Sequence, residues 1–241
     1  MNKRRLYNIV LLILIAAVIV NTCFIVLNDN GNEAEIKDRN QYNISEVGEN
    51  ENGTVYKIFA GNQSSNDTVG LILGVHSREH EIHEEVNKTI YNISSENGTN
   101  NLSKRFVIYF VKINDNITSR EETRNAGELL ANQVVVPNIK ADNPFVVIDV
   151  HEIDSNYEYS SFIFALSNNT VSNDYAENLS KALDIAHYDF NEGTSPERVT
   201  IPIAEQGINT LLFETSIKDS LSEKESVAIR FLRACDRLNP V

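Results

Sequence analysis

His76 and Glu79 stand three positions apart in Gly74-Val75-His76-Ser77-Arg78-Glu79, a stretch that closes an apolar run beginning at Val69. A second apolar run, Phe145 to Val150, is followed at once by His151, and a third, Thr210 to Phe213, by Glu214. Two imidazoles and a carboxylate form the ligand set of a catalytic zinc ion, which takes three protein ligands and keeps a fourth position for water. The His-x-x-Glu spacing suits that role because a short turn after a strand aims both side chains at one point. Glu214, a carboxylate outside the set, is placed to take the water proton during attack on a carbonyl and to hand it to the leaving amine. His80 and His83 fall on the helix entering after Glu79 and read as surface or supporting residues; Glu152 and Asp154 read either as supporting partners of His151 or, the favoured reading, as solvated acids.

Such residues meet only if the elements between them form one sheet. Apolar β-rich runs occur at Val55 to Ala60, Val69 to Val75, Phe106 to Val111, Phe145 to Val150, Ser161 to Leu166, Val199 to Ile203 and Thr210 to Phe213. Several lack polar alternation, as strands buried on both faces do. Helical stripes fill the gaps: Ile82, Val86, Ile90 and Ile93; Tyr175, Leu179 and Leu183; Val227, Phe231, Cys235 and Leu238. Ser222 with Glu225 predicts a capping box at the start of the last helix, and the stretch 114–143 reads as a helix-containing connection. Alternation of this kind predicts an α/β fold with a mixed, mostly parallel central sheet flanked by helices, and sites in such sheets gather beyond the carboxyl ends of the strands.

At these positions the chain resembles the zinc carboxypeptidase family of metallopeptidases, with the desuccinylase and aspartoacylase branch as the wider group. The matching stretches are Gly74 to Glu79, Val147-Ile148-Asp149-Val150-His151 and Leu212-Phe213-Glu214. The resemblance implies a zinc cofactor held by His76, Glu79 and His151, a zinc-bound water activated by Glu214, and hydrolysis of peptide or amide bonds. The segment Thr123 to Gly127 through Asn132-Gln133 looks like a shortened substrate-binding stretch, with Arg124 polarising the scissile carbonyl and Asn132 and Gln133 binding substrate. Where the family has Asn-Arg to clamp a free carboxylate this chain has Asn132-Gln133, and Gln offers no bidentate cationic contact. Tyr188 is the candidate for the family's substrate-gating tyrosine. Two other functions stay open: deacylation of an N-acyl amino acid, and a non-catalytic glycosylated surface binding protein that keeps the fold.

Of 241 residues, the first 28 read as a cytoplasmic stub and transmembrane anchor: no charge lies between Leu6 and Leu27, and Lys3, Arg4 and Arg5 precede the apolar run. A cleaved signal peptide is the rival reading, against which no small-x-small site closes the run. Residues 29–53 read as a polar tether and 54–241 as the folded, extracytoplasmic domain. Asn-x-Ser/Thr sequons cluster from Asn87 to Asn101, which suggests a glycosylated face. The formal charge is −13, with 21 basic against 34 acidic residues; setting the three basic residues before the anchor aside leaves −16 outside. So acidic a surface repels a phosphate backbone, which excludes nucleic acid as a partner and favours cationic or neutral peptide substrates. Oligomeric state is not legible.

Overall fold

The computed structural model describes residues 42–95, 101–154, 156–167, 169–189 and 195–241. The expected anchor lies outside these; among the described residues no helix is long and apolar enough to cross a membrane. The strands are β1 (Asn43–Asn50), β2 (Gly53–Gly61), β3 (Thr68–Leu73), β4 (Arg105–Ile113), β5 (Val146–Ile153), β6 (Phe162–Ala165), β7 (Ala186–His187) and β8 (Thr210–Ser216). They form one sheet in the order β1-β2-β4-β3-β5-β8-β6-β7. The central run β4-β3-β5-β8 is parallel, β2 and β6 join its two sides antiparallel, and β1 pairs antiparallel with β2, which is the mixed sheet expected.

The helices are α1 (His80–Ser95), α2 (Arg120–Asn138), α3 (Thr170–Leu183), the short α4 (Ile201–Ala204) and α5 (Leu221–Arg237). α1, α3 and α5 bury their apolar stripes on one face of the sheet, against Leu71, Ile148, Val150 and Phe213. α2 and α4 cover the other, against Ile72, Val107, Tyr109 and Val147. Because side chains alternate along a strand, this assigns the chemistry. Val147, Asp149 and His151 point toward α2, whereas Ile148, Val150 and Glu152 point toward α1 and α5. On β8, Leu211 and Phe213 lie in the α1 core, so Glu214 shares the α2 face with His151, its partner in register.

Three expectations need correction. The tether was expected to span residues 29–53, but β1 (Asn43–Asn50) lies inside that stretch and pairs with β2. β1 is a polar, largely exposed edge strand, so it carries no apolar signal. Val199 to Ile203, expected as a strand, is helical: a π-helical turn over Pro196–Thr200 runs into α4. Val199 and Ile203 are both fully buried, and their spacing of four is also that of a helix face. The capping box of α5 is formed by Ser220 and Glu223, two residues before the predicted pair.

Glu152 is not solvated. It is buried with Lys224 of α5, their charged atoms 2.8 Å apart and both side chains 1% exposed. Glu81 also accepts from Lys224, and Glu152 Oε1 accepts the Ile82 backbone N–H at 3.0 Å, so the charge cluster ties α1, β5 and α5 together. Removing one partner of such a pair leaves a bare buried charge, at a cost of about 3–5 kcal/mol. Lys224→Met should therefore lower the free energy of urea unfolding by about that much, and Lys224→Met with Glu152→Gln should recover most of it. Equal losses in the single and double variants would show that the pairing is not what matters.

Candidate metal centre

β3 ends at Leu73, and Gly74 turns the chain at φ +83°, where a Cβ would lie 2.2 Å from the Val111 carbonyl. The backbone N–H of Glu79 then donates to the His76 carbonyl at 2.9 Å, closing the turn that brings both side chains round. His151 stands two residues before the end of β5, the strand beside β3. His76, Glu79 and His151 are all buried, and one ligand atom from each lies within 4.8 Å of the others. Glu79 sits between the imidazoles, Oε1 2.9 Å from His76 Nδ1 and Oε2 2.8 Å from His151 Nδ1.

The opposite nitrogens are also engaged. His76 Nε2 donates to Glu128 Oε1 on α2 at 3.1 Å, and His151 Nε2 lies 3.0 Å from Asp149 Oδ1, an ion-pair approach without hydrogen-bond alignment. A carboxylate beside Nε2 favours the proton on that nitrogen, so a cation that displaces the Nδ1 proton shared with Glu79 would meet a lone pair there, the arrangement common to metal-ligating histidines. The donor set fits zinc on that ground. Asp149 is steadied by Thr200 Oγ1 at 3.2 Å and Ser195 Oγ at 3.4 Å, and Arg198 Nη1 lies 3.4 Å from Glu128 Oε2. The helical turn that begins at Ser195, and that includes the start of the expected strand, thus supplies these supports.

α2 can bring Glu128 this close because of Gly127. A Cβ there would meet the Val75 carbonyl at 1.8 Å, so the helix backbone rests on the turn that carries His76. One turn earlier, Arg124 Nη1 donates to Glu79 Oε1 at 3.1 Å. Burial works against a charged Glu79, yet the hydrogen bonds from His151 and His76 outweigh it and hold the carboxyl well below the usual range. Burial likewise opposes charge on His151, and Asp149 and Glu79 raise its pKa well above the ordinary value. Glu214 has no such partners: Oε2 is buried without a hydrogen bond, and burial pushes its carboxyl up to about 8. His83 is buried, donates from Nε2 to the Val150 carbonyl at 2.7 Å, and is pushed down to about 4 by burial, the behaviour of a neutral structural imidazole.

His76, Glu79, His151, Glu214 and Arg124 line one cleft of about 350 Å³, together with Arg120, Asp154, Tyr157 and Ser195. Asn132 and Gln133 do not line it. They lie about 12 Å further along α2 than Arg124 at 1.5 Å per residue, where Asn132 Nδ2 donates to the Arg198 carbonyl and Gln133 Oε1 accepts from Asn50 on β1. Tyr188 packs instead against Tyr159 and Phe162, and the tyrosine on the cleft is Tyr157. Glu128 and Asp149 were missed, though both had a signal: Asp149 is two residues before His151 on the same strand face, and Glu128 is four after Arg124 on one helix face. Glu128→Gln and Asp149→Asn should each weaken zinc binding about 10–100-fold in a competitive chelator titration. Affinities within twofold of the parent chain would remove both residues from the centre.

No protein-family model matches the chain, and a search of curated proteins finds no match. Solved structures do resemble it. A metallo-carboxypeptidase from Burkholderia cenocepacia superposes with a TM-score of 0.58 and 13% identity, over 86% of this chain and 66% of that one. The Legionella pneumophila LapA aminopeptidase gives 0.55 and 11%, over 86% and 62%. The metallo-carboxypeptidase from Pseudomonas aeruginosa in complex with (2-guanidinoethylmercapto)succinic acid gives 0.54 and 10%, over 80% and 64%. The chain spans just under two thirds of the length of each of these three. Its mixed sheet, with the candidate ligands at the ends of β3 and β5 and Glu214 beside them on β8, has the fold of the metallo-carboxypeptidases.

Proposed function

We propose that the chain is a zinc-dependent hydrolase of peptide or amide bonds. The observation that carries this reading is the meeting, in one cleft, of a His-Glu-His ligand set and an unpartnered buried carboxylate, Glu214. Held by His76, Glu79 and His151, a zinc ion would supply Lewis-acid polarisation and a more acidic water. Glu214 takes a proton from the attacking water as its oxygen bonds to the carbonyl carbon. It returns that proton to the nitrogen as the C–N bond breaks. Arg124, partly exposed on α2 at the cleft wall, donates to the carbonyl oxygen as negative charge develops there. Glu128 and Asp149 keep the two imidazoles oriented.

The three metallopeptidase-fold structures include both an aminopeptidase and carboxypeptidases, so the resemblance supports a peptide substrate without choosing its end. The apolar run from Leu6 to Leu27, flanked by Lys3, Arg4 and Arg5, supports a single-pass anchor with the hydrolase facing out of the cytoplasm. Glu214→Gln keeps size and polarity but removes the proton acceptor. On a panel of amidated and free-carboxylate peptides, it should lower kcat by about 10²–10⁴-fold while zinc content by atomic absorption stays that of the parent. Undiminished hydrolysis in that variant would overturn the assignment of Glu214.

A further inference from the structure

β3 ends at Leu73 and pairs with β5 only as far as Ile72 opposite Asp149, whereas β8 stays paired with β5 through His151, Glu152 and Ile153. The last four residues of β5 thus keep one strand neighbour and lose the other. Backbone groups alternate along a strand, and here the N–H of Val147 and the carbonyls of His151 and Ile153 bond toward β8 and the residues flanking it. The Val150 carbonyl and the Glu152 N–H therefore face the edge that β3 has vacated. In a buried strand both need partners.

Two side chains four positions apart supply them. Glu79 Oε2 accepts the Glu152 N–H at 3.3 Å, and His83 Nε2 donates to the Val150 carbonyl at 2.7 Å. His151 lies between those two bonds, so its backbone is held from both sides. His83 belongs to the first turn of α1, and Ile82 beside it donates its backbone N–H to Glu152 Oε1 at 3.0 Å. That turn therefore grips β5 before and after the ligand. A carbonyl only accepts, so Nε2 of His83 carries the proton. The fold uses the ring through that nitrogen alone, since Nδ1 is buried without a hydrogen bond to the described residues. What the position requires is one donor at one point. We propose that His83 is a positioning residue for the metal centre: in place of a β3 partner it holds the Val150 carbonyl and so fixes the strand backbone that carries His151. The inference rests on the zinc-hydrolase reading above and deepens it.

The test compares three variants of the full chain. His83→Gln offers an amide N–H where Nε2 stands, His83→Asn shortens the reach, and His83→Met removes the donor. In a chelator competition His83→Met and His83→Asn should each weaken zinc binding about tenfold or more, while His83→Gln stays within about threefold of the parent. Lower global stability does not reproduce that pattern, because it leaves the affinity of a chain that remains folded unchanged. Affinities of all three variants within about threefold of the parent, or a loss with His83→Gln as large as with His83→Met, would overturn the proposal. If His83→Met does not fold, the comparison of His83→Asn with His83→Gln decides. Amide hydrogen exchange of the metal-free chain gives an independent reading: the peptide spanning 146–153 should exchange about tenfold faster in His83→Asn than in the parent or His83→Gln, with β4 unchanged. An unchanged rate over 146–153 would count against the proposal as decisively. A parent chain that binds no zinc would contradict the metal-centre reading, while the exchange still decides this one.

Discussion

A carboxylate almost withdrawn from water is tolerable only where donors and cations surround it, and Glu79 is such a group. Its two oxygens are met by His76 Nδ1, His151 Nδ1, the Arg124 guanidinium and the Glu152 backbone N–H. These come from three elements: the turn after β3, strand β5 through His151 and the Glu152 backbone, and helix α2. Satisfying Glu79 therefore requires β3 and β5 to be neighbours in register and α2 to lie across their ends. A cation among the same atoms would need that same arrangement, so the demands of folding and of metal binding coincide here.

The second constraint is the alternation of β5. Asp149 and His151 face α2, while Glu152, one residue on, faces the opposite layer and is neutralised by Lys224. Three functional positions within four residues of one strand thus place acids on both sides of the sheet. Neither side is left uncompensated: one acid orients an imidazole and the other joins helices α1 and α5. The backbone N–H of Glu152 and its side chain work on different faces, which links the structural charge cluster to the ligand carboxylate through a single residue.

Much of this arrangement is legible in the sequence because the strands that carry it are buried on both faces. Val69 to Val75, Phe145 to Val150 and Thr210 to Phe213 announce themselves by unbroken apolar character, and His76, His151 and Glu214 stand at their ends. What is not legible has physical causes. β1 is a polar edge strand whose stability comes from its ladder with β2. The segment 196–204 carries Val199, Ile201 and Ile203, which satisfy strand alternation and, through Val199 and Ile203, helix spacing as well. Ser220 and Ser222 each precede a glutamate by three residues, so local sequence alone does not choose between the two caps. The burial of Lys224 depends on Glu152 and Glu81, distant in the chain, and a lone lysine carries no mark of such a partner. Asn132 and Gln133 show the limit of matching by position: a shortened segment continued as a straight helix carries them past the cleft.

The central claim is that His76, Glu79 and His151 together hold a zinc ion. Zinc K-edge X-ray absorption on the purified full chain, loaded with one equivalent of zinc, tests it most directly. The account predicts scattering from two imidazoles with oxygen completing the shell, falling to one imidazole in His151→Ala. A spectrum without imidazole scattering, or one that His151→Ala leaves unchanged, would contradict it.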